Sequence, residues 1–179
     1  MDSTTILLLR HAEKPGPVTG MGINAMGYPD ESSLAVRGWQ RSGALAQLLS
    51  NGMRFEFSAP RKIFAAQPTD RSRRCADTVA ALSEKLRMAT ETGFGRGDEQ
   101  CLARSIESTK GTILVCWQHD GLATIARCLV GDAMASSVPT AWPEDRFDMI
   151  WKLERGHGHW RFVQFSQRLL SGDTGAAIR

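Results

Sequence analysis

The sequence predicts a three-layer α/β/α sandwich around a mostly parallel central sheet. Two observations carry that reading. Strand-like and helix-like segments alternate along the chain, which is the pattern of a parallel sheet covered by helices. Three apolar, strand-like runs are each followed by a residue able to hold an anion: Arg10 with His11, then Arg74, then His119. Open α/β sheets bind ligands outside the carboxyl ends of their strands. The three runs therefore point to one shared crevice.

The elements follow in order. Thr4 to Leu9 is a short apolar run ending abruptly in Arg10-His11, and it reads as a buried strand. Pro15 to Ser33 is rich in Gly, Pro and small residues and reads as a long loop over the crevice; loops of this length are usually functional. Leu34 to Leu49 is helical, with Trp39, Leu45, Leu48 and Leu49 close to one face. Lys62 to Ala66 is the second strand. Ser72 to Arg87 is a helix that buries Val79, Leu82 and Leu86. Gly93 to Gly97 is a flexible connector without the spacing of a dinucleotide fingerprint. Asp98 to Ser108 reads as a helix, Thr112 to Trp117 as a strand and Leu122 to Leu129 as a helix. Arg146 to Leu153 and Trp160 to Phe165 form a hairpin around Gly156-His157-Gly158. Trp142 anchors that hairpin, or else walls the substrate. The domain spans residues 1–168, and the tail 169–179, with Ser171-Gly172-Asp173-Thr174-Gly175, is expected to be disordered.

At 179 residues, one domain with a real core is expected. A net charge of +3 is too mild to make nucleic acid the main partner, but it fits a local positive pocket. Met1 to Thr5 carries no basic region, and the apolar run after it is too short for a signal peptide. No stretch has the length of a membrane span. A cytoplasmic location with no membrane partner is expected. There Cys75, Cys101, Cys116 and Cys128 are reduced thiols. Cys116 and His119 have a Cys-x-x-His spacing, but no second pair completes a zinc site, and His157 and His159 read as solvated turn residues. No metal site and no cofactor are predicted. No motif encodes the oligomeric state.

The polar residues after the strands also resemble a known family. Arg10-His11-Ala12 stands where the histidine phosphatase superfamily, the phosphoglycerate mutase-like proteins, has an Arg-His-Gly type motif. Leu34-Ala35-Val36-Arg37-Gly38-Trp39-Gln40 stands where a Leu-Thr-x-x-Gly pattern with a following glutamine is usual. Ala35 replaces the threonine, so that side-chain cap is lost. Arg74 keeps the family's four-residue spacing to Thr78, although no Ser-Pro-Leu run leads directly to it. His119 follows a late strand, as the second catalytic histidine does. The resemblance extends from about Thr4 to about Phe165 and implies a phosphoglycerate mutase-like fold.

It also implies a metal-independent phosphomonoesterase. His11 attacks phosphorus to form a phosphohistidine, with Arg10 and Arg74 disfavouring its protonated form. Arg10, Arg74 and His119 clamp the phosphoryl oxygens. Arg71 is a possible contributor, because Arg71, Arg73 and Arg74 crowd a helix start where cations need an anion beside them. Asp120 is the first candidate for proton donor, by resemblance to the acid phosphatase branch; its other reading is a helix N-cap. Glu13 and Glu91 are alternative donors. The expected partner is a small phosphorylated substrate, with inorganic phosphate as product. A non-catalytic phosphate-binding module, a phosphomutase, and a phosphoprotein phosphatase acting on phosphohistidine or phosphotyrosine are the alternatives. The last would want an open, shallow site.

Overall fold

The computed structural model describes residues 4–51, 54–156 and 158–179. The first strand, β1, is Thr4–Arg10, and its Ile6 to Leu9 stretch is fully buried. Strands covered on both faces are continuously apolar, which is why this run shows no alternation. The loop after β1 is more ordered than a plain loop. It carries a small ribbon of β2 (Gly22–Ile23) and β3 (Leu34–Ala35). That pairing moves the start of the first helix, α1 (Val36–Ser50), two residues past the predicted Leu34.

The chain continues with β4 (Lys62–Ala65), α2 (Arg74–Leu86), β5 (Thr90–Glu91), α3 (Glu99–Glu107), β6 (Gly111–Trp117) and α4 (His119–Val130). It closes with the hairpin of β7 (Met149–Gly156) and β8 (His159–Ser166). His157 lies outside the described residues, and His159 is exposed at the start of β8. The first of these strands starts later than the predicted Arg146, because Arg146 folds back to hold Asp148 at 2.7 Å. The predicted helix at Leu122 starts three residues earlier, at His119.

The main sheet has the order β5-β4-β6-β1-β7-β8. Its first four strands are parallel, and the hairpin adds two antiparallel strands at one edge. The chain crosses from β1 over β6 to β4 and on to β5, then returns to β6. Right-handed crossovers therefore put α1 and α2 on one face and α3 on the other. The packing agrees, since α1 lies against α2 and α3 against α4. The three-layer reading holds. Trp142 is buried against Trp151, 4.7 Å between ring centroids, so it anchors the hairpin.

Ala35 makes no side-chain cap for α1; its backbone N–H instead donates to the Glu13 carbonyl at 3.0 Å. Gly38 allows this closeness. A Cβ there would stand 2.5 Å from the same carbonyl oxygen. The motif glycine thus lets α1 press against the turn that follows β1.

Residues 169–179 form no helix or strand. The end of the chain is docked, because Asp173 supplies a counter-charge to a buried cation. Its carboxylate accepts from Arg41 at 2.7 and 3.0 Å, and Ile178 is buried. Arg41 also donates to both oxygens of Glu13, at 2.8 and 3.0 Å, and to Gln167. Burial opposes the Arg41 charge, but the bonds to Asp173 and Glu13 outweigh it and stabilise the cation. Removing one partner from a buried ion pair leaves uncompensated charge. Asp173→Ala is expected to lower unfolding free energy by about 3 kcal/mol, Glu13 remaining as a second partner. Denaturant titration of the variant against wild type checks this.

Candidate active site

Because β1 and β6 are adjacent and parallel, their carboxyl ends coincide. Arg10 lies opposite Trp117, and the His11 N–H donates to the Trp117 carbonyl at 3.2 Å. The chain leaves β1 toward one face of the sheet and β6 toward the other. This divergence opens the crevice where such folds hold ligands. A cavity of about 410 Å³ lies there, lined by Arg10, His11, Lys14, Thr69, Arg71, Ser72, Arg74, Arg96, Gln118, His119 and Asp120. Five of these carry positive charge and one, Asp120, is a carboxylate.

His11 is buried, and its Nδ1 is 2.7 Å from the Ala12 carbonyl oxygen. A carbonyl only accepts, so Nδ1 carries the proton and Nε2 keeps the lone pair. Burial, followed by the charge of Arg10, pulls the imidazole down to a pKa of about 3. His11 is therefore neutral across the physiological range, with the Nε2 lone pair free. Ala12 is held in turn, because its N–H donates to Thr78 Oγ1 at 2.8 Å while that hydroxyl donates to the Arg74 carbonyl. The Arg74–Thr78 spacing thus ties the turn after β1, which carries His11, to the first turn of α2.

Arg10 is buried with its guanidinium 4.0 Å above the Phe147 ring. Its Nη1 donates to the Glu144 carbonyl, whereas Nε and Nη2 are buried without a hydrogen-bond partner. Burial lowers its pKa to about 10, with partial relief from Glu144 and Asp145, so it stays charged. Buried unpaired donors cost on the order of 1–3 kcal/mol each, more when charged. An anion in the cavity removes that cost. Arg74 reaches the cavity from the start of α2 but is partly committed. Its Nε and Nη2 donate to the carbonyls of Ser33 and Glu31, at 3.0 and 2.6 Å, leaving Nη1 in a loose 3.4 Å contact with Ser72. Arg71 is exposed on the rim, while Arg73 turns away to pair with Asp77 at 3.2 Å.

His119 begins α4, whose N-cap residue Gln118 makes no side-chain cap. Burial and then Arg10 hold the His119 imidazole below its usual range. Asp120 is in the first turn, so its N-cap reading does not hold; the helix starts one residue before it. Its carboxylate lines the cavity and accepts from Arg96.

The two glutamates considered as donors lie elsewhere. Both oxygens of Glu13 face Arg41 and Arg37, because its side chain leaves the turn toward α1. Glu91 is exposed on the edge strand β5, 3.4 Å from Lys62, and neither residue lines the cavity. Sequence reasoning missed Lys14, Arg96 and Gln118. The signal for Arg96 was a cation in the Gly-rich stretch after a strand; the Phe94 carbonyl accepts from the Gln67 N–H and brings that stretch beside the end of β4. The loop was also expected to cover the crevice. None of residues 15–33 lines the cavity, because β2 pairs with β3 and draws the loop against α1, where Trp39 donates to the Ile23 carbonyl.

The chain matches no protein-family model and no curated protein sequence. Solved structures do match it. It is similar to the protein histidine phosphatase SixA complexed with tungstate, at 13% identity and a TM-score of 0.59, over 91% of this chain and 97% of that one. The alpha-ribazole phosphatase of Shigella flexneri matches at 12% identity and a TM-score of 0.57, over 89% and 94% of the two chains. The fold is that of the histidine phosphatases. The phosphoglycerate mutase-like expectation for the architecture is met, and the order of the motif residues along that fold explains their convergence. Arg10 and His11 follow β1, Arg74 opens α2, and His119 opens α4.

Two outcomes are expected. Inorganic phosphate or tungstate at a hundred times its Kd should stabilise the protein by about 2.7 kcal/mol. Arg10→Lys should lose most of that gain, because an ammonium cannot reproduce the guanidinium's orphaned pair of donors; thermal melts with and without anion check this. The second concerns pH. His11 is neutral in the fold down to about 3 but takes a proton near 6.5 when unfolded. Stability is therefore lost as pH falls below the unfolded value, by about 2 kcal/mol between pH 6.5 and 5. His11→Gln should lack that component in denaturant titrations at pH 7 and pH 5.

Proposed function

We propose that this protein is a phosphomonoesterase that works through a phosphohistidine on His11 and needs no metal. The observation that carries the proposal is a buried, neutral imidazole beside guanidinium donors that have no partner of their own. Nε2 of His11 attacks phosphorus, and the bond to the ester oxygen breaks. Asp120 gives that oxygen its proton. Water then attacks the phosphohistidine with Asp120 as the base, the P–N bond breaks, and inorganic phosphate leaves. Arg10, Arg74 and His119 hold the charge on the equatorial oxygens through both steps, so the barrier is lowered by fixed dipoles and charges. Arg71 and Lys14 on the rim draw in the dianion. Asp120 is the donor because it is the only carboxylate lining the cavity among the described residues. For it to act, Arg96 must release it to the ester oxygen.

A phosphoprotein substrate is the second reading. It is favoured by a cavity that none of residues 15–33 lines and by the likeness to the protein histidine phosphatase SixA.

Hydrolysis of p-nitrophenyl phosphate with a chelator present tests the assignment. Wild type should turn over, and His11→Ala should fall to background; turnover surviving that substitution would exclude the His11 mechanism. Asp120→Asn should cost about 10²-fold on an alkyl phosphate. It should cost far less on p-nitrophenyl phosphate, whose leaving oxygen hardly needs a proton. Equal losses on both esters would remove Asp120 from the donor role.

A further inference from the structure

Asp120 is the donor in the reaction above, yet its carboxylate is already engaged. It accepts from Arg96, which lines the same cavity. That contact uses the carboxylate as an acceptor, the opposite of the role the leaving oxygen requires. Something must draw Arg96 away at the moment of reaction. The Arg96 side chain is 75% exposed and has no other partner among the described residues, so it is free to be drawn. Its turn is pinned on both sides. The Gln67 N–H donates to the Phe94 carbonyl at 2.8 Å, and the Gly95 N–H donates to the Asp98 carboxylate at 2.9 Å.

The other charges of the cavity narrow what can draw it. Arg10, Arg74 and His119 serve the phosphoryl group, and Lys14 is paired with Glu144 at 2.6 Å. Arg71 is left over. It is bonded only through its backbone N–H, to Thr69 Oγ1, so its guanidinium is uncommitted among the described residues. Arg71 and Arg96 come from neighbouring stretches, because the Gln67–Phe94 bond ties the chain after β4 to the chain after β5. The surplus positive charge therefore lies on the side of the cavity where Asp120 stands. An ester oxygen that takes its proton from Asp120 is one hydrogen bond from that carboxylate, and the carboxylate is one hydrogen bond from Arg96. The leaving group thus begins beside Arg96.

We infer that the substrate is a small phosphate monoester whose leaving group carries a second anionic group, a carboxylate or a further phosphate, and that Arg96 and Arg71 bind that group. The inference rests on the phosphatase reading with Asp120 as donor and adds the substrate class to it. A guanidinium takes either anion through two parallel hydrogen bonds. The second anion replaces Asp120 as the partner of Arg96, and Asp120 is released to the ester oxygen when such a substrate is bound. A neutral leaving group answers neither cation and leaves Asp120 held.

The test compares the phosphate monoesters of 3-hydroxypropanoate and of its primary amide, which match in length and differ by one charge. Wild type should favour the carboxylate ester by on the order of tenfold in kcat/KM, the size of one charge-assisted hydrogen bond. Arg96→Ala should abolish most of that preference and raise kcat on the amide ester, since nothing then holds Asp120. Lys85→Gln, which removes an exposed cation that does not line the cavity, should keep the preference. Equal kcat/KM for the two esters in wild type would overturn the second anion and leave the phosphatase intact. A preference that survives Arg96→Ala would overturn the role of Arg96 in binding it, and an unchanged kcat on the amide ester would overturn the hold on Asp120. Hydrolysis of p-nitrophenyl phosphate but of neither ester would overturn the small-substrate class in favour of a phosphoprotein. Hydrolysis of none of the three would bring down the catalytic reading, and this inference with it.

Discussion

The parallel pairing of β1 with β6 is the constraint on which the site depends. It sets Arg10 opposite Trp117, so the two strand ends deliver His11 and His119 to one edge of the sheet. The crossovers then leave in opposite directions, and a gap opens between them. Each histidine is separated from its strand by at most one residue. Little freedom remains in where they sit. A one-residue slip in either strand would exchange the faces its side chains occupy and carry its histidine away from the other.

Electrostatics then decides what that edge can do. The sheet buries His11 and Arg10 together, and burial, followed by the charge of Arg10, keeps the imidazole uncharged. The Ala12 carbonyl selects the tautomer, and Thr78 holds Ala12. Arg10 is positioned from behind by Phe147 and the Glu144 carbonyl while two of its polar atoms stay unsatisfied. A native fold tolerates such orphaned donors where a ligand completes them. The stabilisation that offsets them comes from the apolar strands and from Arg41, whose carboxylate partners join the turn after β1 to the end of the chain.

Much of the fold was legible because its elements are apolar runs of ordinary length. The strands β1, β4 and β6 bury most of their residues, so those runs stand out without alternation. Boundaries failed where a distant pairing intervened, as at Leu34, which joins β3 before the helix begins. At the other end of the chain, the tail looked disordered because Ser171 to Gly175 is small and polar. Its order comes from Asp173 meeting a buried arginine 132 residues away, which composition cannot express.

The sequence by itself determined the alternation of strands and helices and the cationic and imidazole residues at the strand ends. These are local facts of hydrophobic pattern and position. Only the tertiary structure decided which of the three carboxylates lines the cavity. Glu13 is two residues from His11, yet its side chain leaves the turn toward Arg41. Asp120 is far away in sequence, yet the first turn of α4 presents it to the cavity. Neighbourhood along the chain sets which residues are near. The direction in which each side chain leaves the backbone sets which of them meet, and that direction is imposed by partners folded in from elsewhere.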